Sequence, residues 1–199
     1  TARQSYLLNT AIIETVLTDS HGGAVRILDF APRFRMYGRN FRPRTLVRRI
    51  EPVSGRPRIA IRVRPSFGYG ARQPKPKLGS NHMRWTDDDE ALRLTTDAPI
   101  AYIAGETEFA LDRPVSLFFG TDEPLSDNPE TLSASFLDQT RSYWHDWVRS
   151  LNVPFDWQDA VIRAAITLKL CSYEDTGAIV AALTTSVPEA IGRASCRER

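Results

Sequence analysis

Ala11-Ile12-Ile13-Glu14-Thr15-Val16-Leu17-Thr18, Asp19-Ser20-His21-Gly22-Gly23 and Ala24-Val25-Arg26-Ile27-Leu28-Asp29-Phe30 follow one another without a break, and their reading decides the fold. The outer two segments have the composition and spacing of strands. The middle one carries glycine for positive φ and Asp/Ser for local backbone bonds. Together they predict a β-hairpin. In the return strand Val25, Ile27 and Asp29 share one face, and Arg26, Leu28 and Phe30 share the other. Apolar residues on both faces place that strand centrally, between packed layers.

The same pattern repeats toward the C-terminus. Thr45-Leu46-Val47-Arg48-Arg49-Ile50-Glu51-Pro52-Val53 reads as a strand ending at a proline, and Ser54-Gly55-Arg56-Pro57 reads as a turn. Residues 58–65 alternate cleanly, with Ile59, Ile61 and Val63 on one side and Arg58, Ala60, Arg62 and Arg64 on the other. The prolines at 74 and 76 stiffen a polar loop, after which short strands are expected at 83–86, 91–96, 100–104, 107–111 and 115–120. Many short strands separated by Gly, Pro and Asp turns predict a mainly β fold, with an antiparallel β-sandwich over residues 1–125.

The period then changes. Asp127-Asn128-Pro129-Glu130 supplies a cap followed by proline in the first turn. Leu132, Phe136, Thr140, Tyr143, Trp144, Trp147, Val148 and Leu151 recur at three- and four-residue spacing, so residues 126–152 are expected to form an amphipathic linker helix. After Val153-Pro154-Phe155, Asp156 and Asp159 open a second helix that is apolar nearly all round at 164–170. That helix, ending at Thr176-Gly177, and the apolar run 178–183 are expected to be buried between neighbours. One such helix alone is not a stable object, so residues 153–190 read as the start of a larger helical domain.

Composition bounds the function classes. The chain has 199 residues, 42% hydrophobic and 25% charged, values of an ordinary folded domain rather than of a disordered or collagen-like one. No apolar run approaches the ~18–20 residues that cross a bilayer as a helix, so no membrane partner is expected. Thr1 stands where an initiator Met is usual, and the opening residues carry no charged-then-apolar targeting pattern. The two cysteines, Cys171 and Cys196, build neither a disulfide framework nor a zinc site. Residues 191–199, Ile-Gly-Arg-Ala-Ser-Cys-Arg-Glu-Arg, read codon for codon as a translated sequencing adapter. They are expected to be a non-native tail, which removes Cys196 from consideration and leaves the remainder formally neutral.

Charge is unevenly distributed. From Arg33 to Arg64 there are eleven arginines and one acid, Glu51, whereas residues 87–130 hold twelve acids against Arg93 and Arg113. A basic half and an acidic half can mark a nucleic-acid-binding domain. The competing reading is that two sets of strands expose polar faces that neutralise each other. The basic stretch has no basic-striped helix, zinc finger or RNA-binding aromatic pattern, and no nucleic-acid partner is expected.

No active site emerges from the residues alone. His21, His82 and His145 fall in a turn, a loop and the Trp-rich helix, with no ligand spacing or triad partner. Tyr143, Trp144, Trp147 and Trp157 suit sugar stacking, but the helical spacing favours packing. Glu106 and Glu108 have the spacing of a carboxylate pair on one strand face, in surroundings too polar to raise either pKa. No catalytic, metal or cofactor residue is therefore assigned, and substrate contacts are unassigned.

A resemblance supplies what the residues do not. The hairpin into Val25-Arg26-Ile27-Leu28-Asp29-Phe30-Ala31-Pro32, then Leu46-Val47-Arg48-Arg49-Ile50 and Arg62-Val63-Arg64-Pro65-Ser66-Phe67-Gly68-Tyr69-Gly70, begin an ordered series. Tyr143-Trp144-His145-Asp146-Trp147, Ala164-Ala165-Ile166-Thr167-Leu168-Lys169-Leu170 and the block from Thr176 to Glu189 complete it. The series resembles the N-terminal part of bacterial glycoside hydrolase family 15, the glucoamylase and trehalase-like group. Leu183 stands where that family usually has proline.

The resemblance implies a β-sandwich followed by an α/α barrel of the six-hairpin glycosidase type. It also implies inverting hydrolysis of an α-glucosidic bond in trehalose or a maltooligosaccharide, no cofactor or metal, and a cytoplasmic location. The catalytic carboxylates then lie beyond Ala190, and this chain is expected to be an inactive N-terminal fragment of an enzyme. Oligomeric state is left open. The alternatives are a free-standing carbohydrate-binding sandwich or, less favoured, nucleic-acid binding through the arginines from Arg33 to Arg64.

Overall fold

The computed structural model describes residues 1–174 and 176–180. The expectations for residues 181–199, including the apolar run beyond Val180, the tail and Cys196, lie outside the described residues. Thr1–Asn152 form one unit and the chain from Val153 another.

In the first unit the strands are β1 (Ala2–Tyr6), β2 (Ile13–Thr18), β3 (Ala24–Phe30), β4 (Phe34–Met36), β5 (Arg39–Phe41), β6 (Thr45–Ser54) and β7 (Arg58–Ile59). They continue with β8 (Lys77–Leu78), β9 (His82–Asp87), β10 (Glu90–Thr96), β11 (Phe109–Ala110) and β12 (Val115–Thr121). Helix α1 (Ile100–Ala104) precedes β11, and α2 (Pro129–Arg149) follows β12. Eight strands make one antiparallel sheet in the order β1-β2-β3-β6-β12-β10-β9-β8, so the mainly β, antiparallel expectation holds. The pairs β4–β5 and β7–β11 stand apart from it.

The deciding hairpin forms as its residues dictate. Asp19 Oδ1 accepts the amides of His21 at 2.7 Å and Gly23 at 2.8 Å, and Gly22 takes φ +83°, so Thr18 pairs with Ala24. Strand β3 is central and both its faces are covered. Val25 and Ile27 join a cluster with Ile50, Met83, Trp85, Leu94 and Leu117, roofed by Ile61, Phe67, Ile100, Ile103 and Phe109. Leu28 and Phe30 join Ile12, Val47 and Phe118 beneath Leu137 of α2. Asn128 caps α2, its side chain accepting the Glu130 amide at 2.8 Å, with Pro129 in the first turn. The β4–β5 hairpin holds the helix from the side: Phe34, Phe41 and Phe136 meet with ring centroids 4.9–5.4 Å apart.

Several local readings are corrected. Residues 100–104 form a helix, because Pro99 starts the turn and its carbonyl accepts from Tyr102 and Ile103, putting Ile100 and Ile103 on one buried side. Residues 58–65 keep their alternation, with Ile61 buried and Arg58, Arg62 and Arg64 exposed, but only Arg58–Ile59 pair. In a short extended segment, side-chain burial can enforce alternation without a ladder partner. Strand β1, absent from the sequence reading, pairs with β2 along its whole length.

The second unit contains α3 (Gln158–Leu170), β13 (Ser172–Tyr173) and β14 (Ala178–Ile179). The helix begins at Trp157, in the left-handed region at φ 63°, rather than at an Asp156 cap. It stops at Leu170, not at Thr176-Gly177: the Val180 amide bonds to the Cys171 carbonyl and the chain turns back as β13–β14. Ile162 and Ile166, one turn apart, are buried, while Leu168, Leu170, Ile179 and Val180 are exposed, so this chain alone does not bury the stretch, as expected of a helix that needs further neighbours.

Candidate functional site

The carboxylate pair comes apart into two arginine complexes. Arg64 donates to both oxygens of Glu106 at 2.7 Å, and Arg62 Nε stands 3.1 Å away. The hydrogen bonds from Arg64 hold the Glu106 carboxyl below the usual carboxylate range. That is the wrong direction for a general acid, which must keep its proton near neutral pH. Glu108 faces Arg58 at 3.7 Å instead.

The histidines also stay separate. His21 is in the exposed hairpin turn, the His82 ring meets Asn81 Oδ1 at 3.2 Å, and His145 Nε2 meets the Leu8 carbonyl at 3.2 Å. Burial pushes the His82 pKa down, the Arg93 charge adding to the effect. Among the described residues no three His, Cys, Asp or Glu groups gather into a metal site. The Trp-rich helix divides in two ways. Trp144 is 1% exposed and stacks edge-on with Tyr143 and Trp147, so packing accounts for it. Trp157 is 82% exposed and Phe155 94%, which corrects the packing expectation for Trp157.

Many arginines of the basic stretch have acidic partners. Arg48 grips Asp29 through two bonds of 2.6 and 2.8 Å, Arg49 bonds Glu51 at 2.7 Å, and Arg58, Arg62 and Arg64 meet Glu108 and Glu106 of the acidic stretch. Mutual neutralisation is thus realised at these positions. Asp122 closes a similar pair with Arg84, but its Oδ1 is buried without a hydrogen bond, Arg93 Nη1 standing 3.6 Å off.

Between sheet and α2 lies a buried polar network that the sequence did not disclose. Arg49 Nη1 donates to Ser133 Oγ at 3.0 Å, and the Ser116 and Ser133 hydroxyl oxygens are 2.7 Å apart. Ser133 has one proton and gives it to the Glu130 carbonyl at 2.9 Å. It therefore accepts from both Arg49 and Ser116, which fixes Ser116 as the donor of their shared bond. The Ser116 amide donates to Asp97 Oδ1 at 2.7 Å. With both serine hydroxyl directions assigned, this network is a staple for the helix.

Among the clefts of the described residues, one of about 560 Å³ is lined by Arg58, Tyr102, Glu108, Asp112 and Arg113 together with Phe109 and Ala110 of β11. Tyr102 is 44% exposed and its ring is backed by Phe109, with centroids 5.8 Å apart. As part of a helix after Pro99, Tyr102 stands opposite the buried Ile100 and Ile103. Trp85, by contrast, is 2% exposed and offers no platform on the sheet.

Comparison with known proteins gives one consistent set of relatives. Over 195 residues, 95% of this chain, it is 28% identical to a protein named trehalase from Thermoplasma volcanium and covers 31% of that protein. The Thermoplasma acidophilum trehalase is 28% identical over 95% of this chain, covering 33% of that relative. A Mycobacterium tuberculosis trehalase is 30% identical over 72% of this chain, covering 23% of the relative. The chain thus spans a third or less of the curated relatives it matches. No family model matches the chain. No solved structure matches it either.

Proposed function

We propose that this chain forms the sheet-bearing N-terminal part of a trehalase-like glycoside hydrolase of family 15, acting on trehalose, with maltooligosaccharides as the second substrate class. The observation that carries the reading is the similarity to trehalase-named proteins through 95% of the chain. In this reading residues 1–125 are the β-domain, 126–152 the linker helix and 153–190 the start of the α/α barrel. The cytoplasm is the compartment that goes with it, and nucleic acid is not a partner.

The proposed reaction is inverting. One carboxylic acid protonates the glycosidic oxygen while a carboxylate on the opposite side of the ring activates water, the two standing ~6.5–9.5 Å apart to admit it. Neither step calls for a cofactor. Both groups are supplied by the part of the enzyme outside this chain. This is supported by Glu106 being held by Arg64 while Glu108 faces a different arginine, Arg58, so the two do not form a pair. The 199-residue chain by itself is then inactive.

A chimera tests the proposal: this chain replaces the aligned third of the Thermoplasma volcanium relative, and glucose release is followed. Trehalose should be cleaved to one α- and one β-glucose before mutarotation, the signature of inversion. A folded chimera that releases no glucose from trehalose contradicts the reading. Initial release of α-glucose alone contradicts the inverting mechanism. For the nucleic-acid alternative, DNA retention that falls steeply with salt would displace the hydrolase reading.

A further inference from the structure

We propose that the cleft at Tyr102 is a non-catalytic saccharide-binding subsite. The inference takes its ligand class from the reading above and its location from the geometry. The cleft's volume, about 560 Å³, falls within the ~300–1,000 Å³ typical of small-molecule clefts. Its floor is a fixed aromatic platform. Phe109 backs the Tyr102 ring at 5.8 Å, and the Thr107 amide donates to the Tyr102 carbonyl at 2.8 Å, so little freedom is left to lose on binding.

The lining chemistry selects a neutral, hydroxyl-rich ligand. Two guanidinium groups, Arg58 and Arg113, stand with two carboxylates, Glu108 and Asp112, so their formal charges cancel and a free anion is not favoured. Arg113 is already held by Asp97 at 3.0 Å. Asp112 is exposed and makes no hydrogen bond or ion pair among the described residues. The Arg58–Glu108 pair is open at 3.7 Å, with both side chains more than half exposed. Vicinal hydroxyls can donate to these carboxylates while accepting from Arg58, and the C–H face of a sugar ring can lie on Tyr102.

The test is a set of NMR titrations of the 199-residue chain with trehalose, maltotriose and inorganic phosphate. Saturable shifts should appear at the Tyr102 ring and at the amides from Phe109 to Asp112 with at least one sugar and not with phosphate. Tyr102→Ala should weaken sugar binding about tenfold, with Tyr102→Phe close to the parent. Asp112→Asn should weaken it about threefold and, being on the surface, keeps the readout available if the alanine variant fails to fold. No sugar-induced shift in the cleft overturns the inference. So does a response to phosphate alone, or sugar shifts unchanged in Asp112→Asn. Cleft binding is read on this chain and glucose release on the chimera, so the failure of one is distinguishable from the failure of the other.

Discussion

The two faces of the eight-stranded sheet are closed by different means. On the face carrying Trp85, Met83, Leu94 and Leu117, the cover is α1, β7–β11 and irregular chain, and the cluster is apolar apart from buried Thr96, whose hydroxyl accepts the Ala98 amide at 3.0 Å. On the face under α2, Leu28, Val47 and Phe118 are interleaved with buried Ser116, Ser133 and Thr140, and with Arg49 reaching in from β6. Apolar packing is strong but tolerant of sliding, whereas hydrogen bonds of fixed direction tolerate little. The first face is therefore the source of stability and the second sets the seat of the helix.

Trp85→Ala should be the most damaging single change, costing ~3–5 kcal/mol in urea unfolding, because a large ring is removed from a packed cluster. A cost of ~1 kcal/mol or less would break the contrast between the faces. On the α2 side, Ser116→Ala and Ser133→Ala should each cost ~1–3 kcal/mol by stranding a buried partner. Together they should cost less than their sum, with coupling of ~0.5–3 kcal/mol. Strict additivity would mean that the two hydroxyls do not act as one staple.

Helix entry comes next: Asn128→Ala removes the acceptor for the Glu130 amide and should cost ~1 kcal/mol. The smallest effect belongs to the arginine-bound carboxylate outside both faces. The folded-state pKa of Glu106 lies below its ordinary 4.5, so whatever stability its pairing adds is complete above that value. It is lost as pH falls through the folded pKa. Carbon-detected titration should show the low midpoint in the parent and its return toward 4.5 in Arg64→Ala. An unchanged midpoint would remove Arg64 as the cause.

The contrast also explains what was legible in advance. The β2–β3 hairpin, the two-faced β3 and the start of α2 were readable because their signals are local: an Asx turn, a period of two and an Asn-Pro cap. Helix α1 was misread because Ile-Ala-Tyr-Ile-Ala suits either period over five residues, and Pro99 decides it. The end of α3 was missed because the bond from Val180 to Cys171, not composition, turns the chain. The Ser116–Ser133 staple and the Tyr102 cleft join residues far apart in the sequence, and no spacing rule reaches them. The polar surroundings of Glu106 were legible too, and Arg64 holds its carboxyl low.

The central proposal is that this chain belongs to a trehalose-cleaving enzyme without supplying its acid or base. Its most direct test is the chimera bearing both Glu106→Gln and Glu108→Gln, assayed for trehalose turnover beside the parent chimera. The account predicts kcat within about twofold of the parent, since a catalytic carboxylate is worth ~100–10,000-fold and the proposal assigns that role to neither residue. A loss of about 100-fold or more in a folded protein would place catalysis in this chain and contradict the account.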